Sequence, residues 1–373
     1  MDPVDPKVVL GTAGHIDHGK TALIRALTGV ETDRLPEEQA RGITISLGFA
    51  PLDLDDGRRV SVVDVPGHEG LVRTMVSGAS GIDLVLLVVA ADEGVMPQTR
   101  EHVAICELLG IDRGIVALTK IDSTEADLAE LAREEVSAFL SDTALADAPV
   151  VPVSSLTGEG IPELRAAIGK AIEAAKPRTS RTGPPRLSID RSFSAKGFGC
   201  VVTGTLVGGS FTVGDTVEIQ PSGRRCRIRG LQSHGVSVER CPPGLRCAVN
   251  LQGVELDEVA RGQVVSAPGL LGPTVSADVE VAWLPIAAPV EDQAAIEFLT
   301  GTAKRRARLA PIGDEPLRPG EVGFARLHID GDAVLAAGSF SMWRRRIGAA
   351  AIPKFGAISP SSRRVSPRSG SPC

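Results

Sequence analysis

The chain has 373 residues, of which 43% are hydrophobic, with a formal charge of −6 and six cysteines. That length makes about two to three domains of about 150 residues each; with no apolar run of about 18 residues and no charged-then-apolar leader, the chain reads as soluble and cytoplasmic rather than membrane-spanning or secreted. Cys106, Cys200, Cys226, Cys241, Cys247 and Cys373 contain no C-x-x-C spacing, so they point to neither a disulfide scaffold nor a zinc site and read as reduced thiols.

The first element is a strand at Lys7–Leu10, followed by Gly14-His15-Ile16-Asp17-His18-Gly19-Lys20-Thr21 and a helical pattern over Thr21–Thr28. Strand, G-x-x-x-x-G-K-[ST] and helix together are a phosphate-binding loop. Its glycines let successive backbone N–H groups face a β-phosphate, and the helix adds its positive N-terminal dipole. Asp17, His18 and Gly19 shape the loop, Lys20 supplies a cation for the β- and γ-phosphates, and the Thr21 hydroxyl suits Mg²⁺. Arg41-Gly42-Ile43-Thr44-Ile45 comes next, where a nucleotide switch belongs. Thr44 is placed to give Mg²⁺ a hydroxyl and the γ-phosphate an N–H, both lost on hydrolysis.

The strand Val60–Val63 ends in Asp64-Val65-Pro66-Gly67-His68. A carboxylate there holds a water of nucleotide-bound Mg²⁺, and the Gly67 N–H can reach the γ-phosphate. A helix near Gly70–Ser77, a strand Leu84–Ala90, a helix Thr99–Leu109 and a strand Gly114–Leu118 lead to Thr119-Lys120-Ile121-Asp122. This fits [NT]-K-x-D: the Asp122 carboxylate accepts from N1–H and the exocyclic amine of guanine, a pair that adenine lacks, while Lys120 packs its stem over the base. A helix Glu125–Leu140, a strand Val150–Val153, Ser154-Ser155 as a further base-side turn, and a helix Ile161–Ala175 complete this part. The βα alternation predicts an α/β, doubly wound, mostly parallel sheet over residues 1–176.

Residues 177–185 form a polar, Pro-rich linker, and the periodicity then changes. Short runs at Gly199–Thr203, Thr216–Gln220, Arg225–Ile228 and Cys247–Leu251, bounded by Gly or Pro, predict a small β-barrel over 186–270. A second set, Val275–Trp283, Ala294–Gly301, Lys304–Pro311 and Gly320–Ile329, predicts a partial barrel over 271–341. Residues 342–373 read as a basic disordered tail. Residues 344–373 carry seven Lys/Arg and no acid, which leaves 33 basic against 46 acidic residues before them. A nucleic-acid partner would therefore have to meet a local basic surface.

Phosphate loop, R-G-I-T-I, D-x-P-G-H and T-K-x-D, in that order and followed by a barrel, resemble the translational GTPases of the elongation factor Tu superfamily. Ile43-Thr44-Ile45-Ser46-Leu47-Gly48-Phe49, Asp64-Val65-Pro66-Gly67-His68-Glu69, and the barrel segments Leu187–Phe193, Lys196–Gly199 and Val201–Thr205 resemble its selenocysteine-specific branch. The resemblance implies GTP hydrolysis with Mg²⁺ and delivery of selenocysteinyl-tRNA to the ribosome at recoded UGA codons. It also implies His68 as the group orienting the attacking water, Asp17 as a holder of a monovalent cation, and Asp190, Arg191 and Arg246 as the pocket for the selenocysteinyl group. Two guanidiniums favour a selenolate over a neutral serine hydroxyl.

Ser46 departs from this pattern, standing where that branch often has Asp. The winged-helix modules that grip an mRNA hairpin are not seen after the barrels, so truncation or frameshift is expected and hairpin binding by this chain is not. The same plan also serves general aminoacyl-tRNA or initiator-tRNA carriers, the GTPase subunit of a sulfate-activating adenylyltransferase, and a binding-only remnant.

Overall fold

The computed structural model describes residues 8–32, 48–65, 82–174, 183–195, 199–233, 235–283, 292–313, 318, 321–335, 341–344 and 355–360. The chain divides into two compact units, Met1–Thr179 and Ser180–Cys373. Among the described residues no helix is long and apolar enough to cross a membrane.

In the first unit β1 (Val9–Ala13), β2 (Gly48–Asp53), β3 (Arg59–Asp64), β4 (Leu84–Ala90), β5 (Gly114–Thr119) and β6 (Val150–Pro152) form one sheet in the order β2-β3-β1-β4-β5-β6. All neighbours are parallel except β2 and β3. Every residue of β1 and β4 is buried, as strands covered on both faces require. Helices Lys20–Thr28, Pro97–Leu108, Ala126–Leu140 and Ile161–Ala174 lie where the sequence predicts helices, to within two residues at each start. Leu23, Ile24, Leu164 and Ile168 pack on Leu10, Leu86, Val88 and Ile115 to form one core. β2 is a strand the periodicity does not announce. It carries Pro51, whose missing N–H is tolerated because the strand sits at the sheet edge. The expected switch Arg41–Ile45 and the expected helix near Gly70–Ser77 lie outside the described residues.

The second unit holds two antiparallel barrels. The first uses β7 (Arg186–Ser188), β8 (Arg191–Ala195), β9 (Gly199–Val207), β10 (Phe211–Thr212), β11 (Thr216–Gln220), β12 (Arg224–Ser233), β13 (Val236–Val238), β14 (Arg240–Cys241), β15 (Arg246–Gln252) and β16 (Val264–Ser266). Its pairings run β11-β16-β7-β9-β15-β12 and return from β12 to β11. Gly204 permits the close crossing of β9 over β7, since a Cβ there would stand 2.2 Å from the Ser188 carbonyl oxygen.

The second barrel is built of β17 (Pro273–Trp283), β18 (Ala294–Thr300), β19 (Ala303–Pro311), β20 (Val322–Val334), β21 (Ser341–Arg344) and β22 (Phe355–Pro360), closed in the order β17-β20-β19-β18-β21-β22. It encloses Val279, Val281, Phe298, Leu309, Ala325 and Leu327. Closure corrects two expectations: the barrel is not left partial at 341, and residues 342–344 and 355–360 of the expected disordered tail are strand. β21 pairs with β18 from Thr300↔Ser341 to Glu297↔Arg344, and β22 pairs with both β17 and β21. The open edges of β17 and β18 supply backbone partners to short runs that are too sparse in apolar residues to stand out from the surrounding Arg, Ser and Pro. The two barrels are tied by Thr302, whose hydroxyl donates to the Ile189 carbonyl at 2.6 Å and accepts the Gly262 N–H at 3.1 Å.

Candidate functional site

The loop after β1 is shaped by backbone as much as by side chains. Gly14 has φ 132°, and a Cβ there would meet the Val88 carbonyl oxygen at 2.1 Å, so only glycine fits. The Gly14 N–H donates to His102 Nδ1 at 2.9 Å and the Ile16 N–H to Gln98 Oε1 at 3.0 Å. Both partners lie one turn apart on the helix Pro97–Leu108, which braces the loop from the side. Asp17 (φ 61°) and Gly19 (φ 84°) turn the chain into the helix Lys20–Thr28. Lys20 is 6% exposed and its ammonium donates to the carbonyls of Gly14, at 3.1 Å, and His15. Burial pulls its pKa down to about 8, against the opposing charges of Asp64 and Asp17. Such an ammonium gains from any anion brought to the loop.

Asp64 ends β3 with no solvent exposure. Its Oδ1 accepts the Thr12 hydroxyl at 3.0 Å, and its Oδ2 accepts the hydroxyls of Thr21 at 3.0 Å and Thr32 at 2.7 Å. Burial raises the Asp64 pKa, opposed by these three hydroxyls and by Lys20. The donor set suits Mg²⁺: one hydroxyl and one carboxylate, all oxygen, with room in the coordination shell for waters and phosphate oxygens. No group of three or more His, Cys, Asp or Glu that could hold a metal ion occurs among the described residues, so this is not an all-protein metal cage. Thr44, Gly67 and His68, which the sequence assigns to the same centre, lie outside the described residues.

On the base side, Thr119 closes β5 and donates its hydroxyl to the His18 carbonyl at 2.8 Å, which joins T-K-x-D to the phosphate loop. Lys120 has φ 61° and its ammonium meets Asp92 Oδ2 at 3.1 Å. Asp122 stands exposed in the 3₁₀ turn Ile121–Ser123. His18 is fully buried, with Nδ1 accepting the Ala90 N–H at 3.2 Å and Nε2 donating to Glu93 at 3.1 Å. Burial, with His15 adding to it, lowers its pKa to about 4. The imidazole is therefore a neutral brace between loop and sheet. Ser154 is also fully buried, and its Oγ accepts the N–H groups of Thr157 at 3.0 Å and Leu156 at 3.2 Å. It fixes the turn after β6 instead of presenting a free hydroxyl.

Thr12, Thr32, Gln98 and His102 are site residues that the motifs do not reveal. Only the i, i+4 spacing of Gln98 and His102 is a visible signal, two polar groups on one helix face.

The second cluster lies on the first barrel. Arg246 makes a two-pronged ion pair with Asp190, Nη1 to Oδ2 and Nη2 to Oδ1 at 2.9 Å. Thr203 completes it, donating to Asp190 at 2.7 Å and accepting from Arg246 at 3.0 Å. Arg191, the third residue of the expected pocket, is exposed and pairs through the ladder with Thr203. Along β15, Cys247, Val249 and Leu251 are buried, while Arg246 and Ala248 alternate with them on the other face. That face continues into a cavity of 480 Å³ lined by Phe193, Val201, Gln232, Ala248 and Asn250 among others.

Comparison with known proteins assigns the two folds. Residues 5–174 match the elongation factor Tu GTP binding domain and residues 199–266 match elongation factor Tu domain 2. Elongation factor Tu 2 of Streptomyces avermitilis is 37% identical over 290 residues, which cover 72% of this chain and 74% of that protein. The chain belongs to the elongation factor Tu family of GTPases. Membership makes guanine nucleotide the ligand of the first unit. Within the family the chain is similar to the selenocysteine-specific elongation factor of Desulfomicrobium baculatum, 50% identical over 321 residues, or 86% of this chain and 50% of that one. The crystal structure of a bacterial selenocysteine-specific elongation factor superposes with a TM-score of 0.84 at 33% identity, over 96% of this chain and 59% of that one. The chain spans about half the length of the selenocysteine-specific relatives it matches.

Proposed function

We propose that this chain is a cytoplasmic, GTP-dependent carrier of selenocysteinyl-tRNA, delivering it to the ribosome for UGA recoding and hydrolysing GTP to GDP and phosphate. The observation that carries the reading is the Asp190–Arg246–Thr203 network beside the 480 Å³ cavity. Asp190 fixes the guanidinium plane through a two-pronged pair, the geometry for which arginine rather than lysine is suited. Arg191 adds a second positive charge. A selenol that ionises near neutral pH is favoured there over a serine hydroxyl by a charge-assisted contact. The adjoining cavity has room for the terminal nucleoside to which the aminoacyl group is esterified.

In the first unit Lys20 neutralises phosphate charge, and the helix Lys20–Thr28 turns its positive N-terminal dipole to the phosphates. Thr21, Thr44 and Asp64 would hold Mg²⁺, which would supply neutralisation of phosphate charge. Asp122 selects guanine, with Lys120 against the base and the Thr119 and Ser154 turns holding the rim in place. Gly67 reads the γ-phosphate, and His68 orients the attacking water. Positioning of that kind is the main demand of phosphoryl transfer, so turnover is slow until a partner sets His68.

Filter binding of selenocysteinyl-tRNA, seryl-tRNA and a bulk aminoacyl-tRNA with a GTP analogue tests the reading. Preferential retention of selenocysteinyl-tRNA is expected. Equal retention of all three would make the chain a general aminoacyl-tRNA carrier.

A further inference from the structure

Asp64 is crowded in an uneven way. Its Oδ2 accepts two hydroxyls, Thr21 at 3.0 Å and Thr32 at 2.7 Å, and its Oδ1 accepts Thr12 at 3.0 Å. Each carboxylate oxygen offers about two lone-pair directions, so Oδ2 is filled. Thr12 is a brace within the sheet, since its oxygen also accepts the Val65 N–H at 2.8 Å. Thr32 is different: it belongs to no helix or strand, yet is only 5% exposed. A place is made for it by Gly48, which stands opposite Asp64 in the β2–β3 ladder and whose Cβ, if present, would lie 2.6 Å from Thr32 Cβ.

We propose that Thr32 is an internal competitor of Mg²⁺, its hydroxyl holding the position on Asp64 that a metal-bound water must take. The argument rests on the assignment of Thr21 and Asp64 to Mg²⁺. A threonine hydroxyl bound to the ion through its oxygen keeps its proton and still donates to a carboxylate, so the Thr21 bond survives metal binding. Mg²⁺ retains several waters when held by few protein groups. Oδ2 is the oxygen that Thr21, the expected ligand, reaches, and its other direction is filled by Thr32, so a metal-bound water donating there would displace the Thr32 hydroxyl. Thr32 thereby sets how much Mg²⁺ is needed to hold a nucleotide.

The test is a Mg²⁺ titration of fluorescent GDP binding to the full chain, in wild type and in Thr32→Val, Thr32→Ser and Thr21→Ala. Thr32→Val keeps the shape and removes the donor; it should lower the half-saturating Mg²⁺ concentration about tenfold, the scale of a lost hydrogen bond to a charged group. Thr32→Ser keeps the hydroxyl and should titrate as wild type, which separates loss of the bond from loss of packing. An unchanged or raised Mg²⁺ requirement in Thr32→Val overturns the proposal, a raised one because it would make Thr32 a ligand. Thr21→Ala should raise the requirement on its own; if it does not, the Mg²⁺ assignment fails independently of Thr32.

Discussion

Asp122 is exposed in a short turn after β5, so replacing it changes the base contact and little else. Asp122→Asn presents an acceptor and a donor in place of two acceptors, the pattern that complements N1–H and the C2 carbonyl of xanthine. Affinity for GTP should fall about a hundredfold or more while XTP gains, measured by competition against a labelled nucleotide; unchanged GTP affinity would contradict the assignment. Arg246→Ala acts otherwise, because it leaves the Asp190 carboxylate, 11% exposed, without its cation. Selenocysteinyl-tRNA binding should weaken far more than seryl-tRNA binding, and equal losses would remove Arg246 from the pocket. The places of Lys20, Thr21, Thr119 and Asp122 after strand ends were legible because their motifs fix local offsets. Thr32, Thr12 and His102 were not, since they reach Asp64 or Gly14 across 32, 52 and 88 residues. Nothing local marks a threonine that will meet a distant carboxylate.

At the scale of elements, the helix Pro97–Leu108 supports the phosphate loop through a buried, neutral His102. Burial, with Lys20 and His15 nearby, lowers its pKa to about 3, against 6.5 or so in the unfolded chain. Its contribution to stability is therefore full above pH 6.5 and is lost as pH falls from there toward 3, by about 1.4 kcal/mol per unit. His18, also shifted down by burial, adds in the same direction. All α-helices among the described residues lie in the first unit, so helical circular dichroism follows its melting. The melting temperature should drop between pH 7 and 5, and His102→Gln, which keeps an acceptor for Gly14 but does not titrate, should reduce that drop; an identical pH dependence would contradict the account. In the second unit, a chain ending at residue 340 lacks β21 and β22 and exposes the edges of β17 and β18. Such edges promote association, so that variant should aggregate on heating where the full chain melts without precipitate. The parallel strands were legible as continuous apolar runs such as Leu84–Ala90. β2 was hidden by Pro51, and β22 by the Arg, Ser and Pro around a run of six residues.

At the scale of the molecule, a chain of net charge −6 repels a polyanion on average, so the proposed tRNA binding would depend on local cations and on a specific aminoacyl contact. Raising salt should therefore weaken selenocysteinyl-tRNA and seryl-tRNA alike, while their ratio, proposed to be set at Asp190 and Arg246, stays nearly constant. The α/β sheet followed by barrels was readable from the change in hydrophobic period after residue 185, and the nucleotide site from four ordered motifs. The Asp190–Arg246 pair was readable only by resemblance, because its residues are brought together by the pairing of β8, β9 and β15. In the proposed function the nucleotide held by the first unit governs the cargo held by the second. The direct measurement is the affinity of the full chain for selenocysteinyl-tRNA with a GTP analogue against that with GDP. The account predicts tighter binding with the analogue, by about fivefold to more than a hundredfold, the range of coupling between two sites. Equal affinity in the two nucleotide states would contradict it.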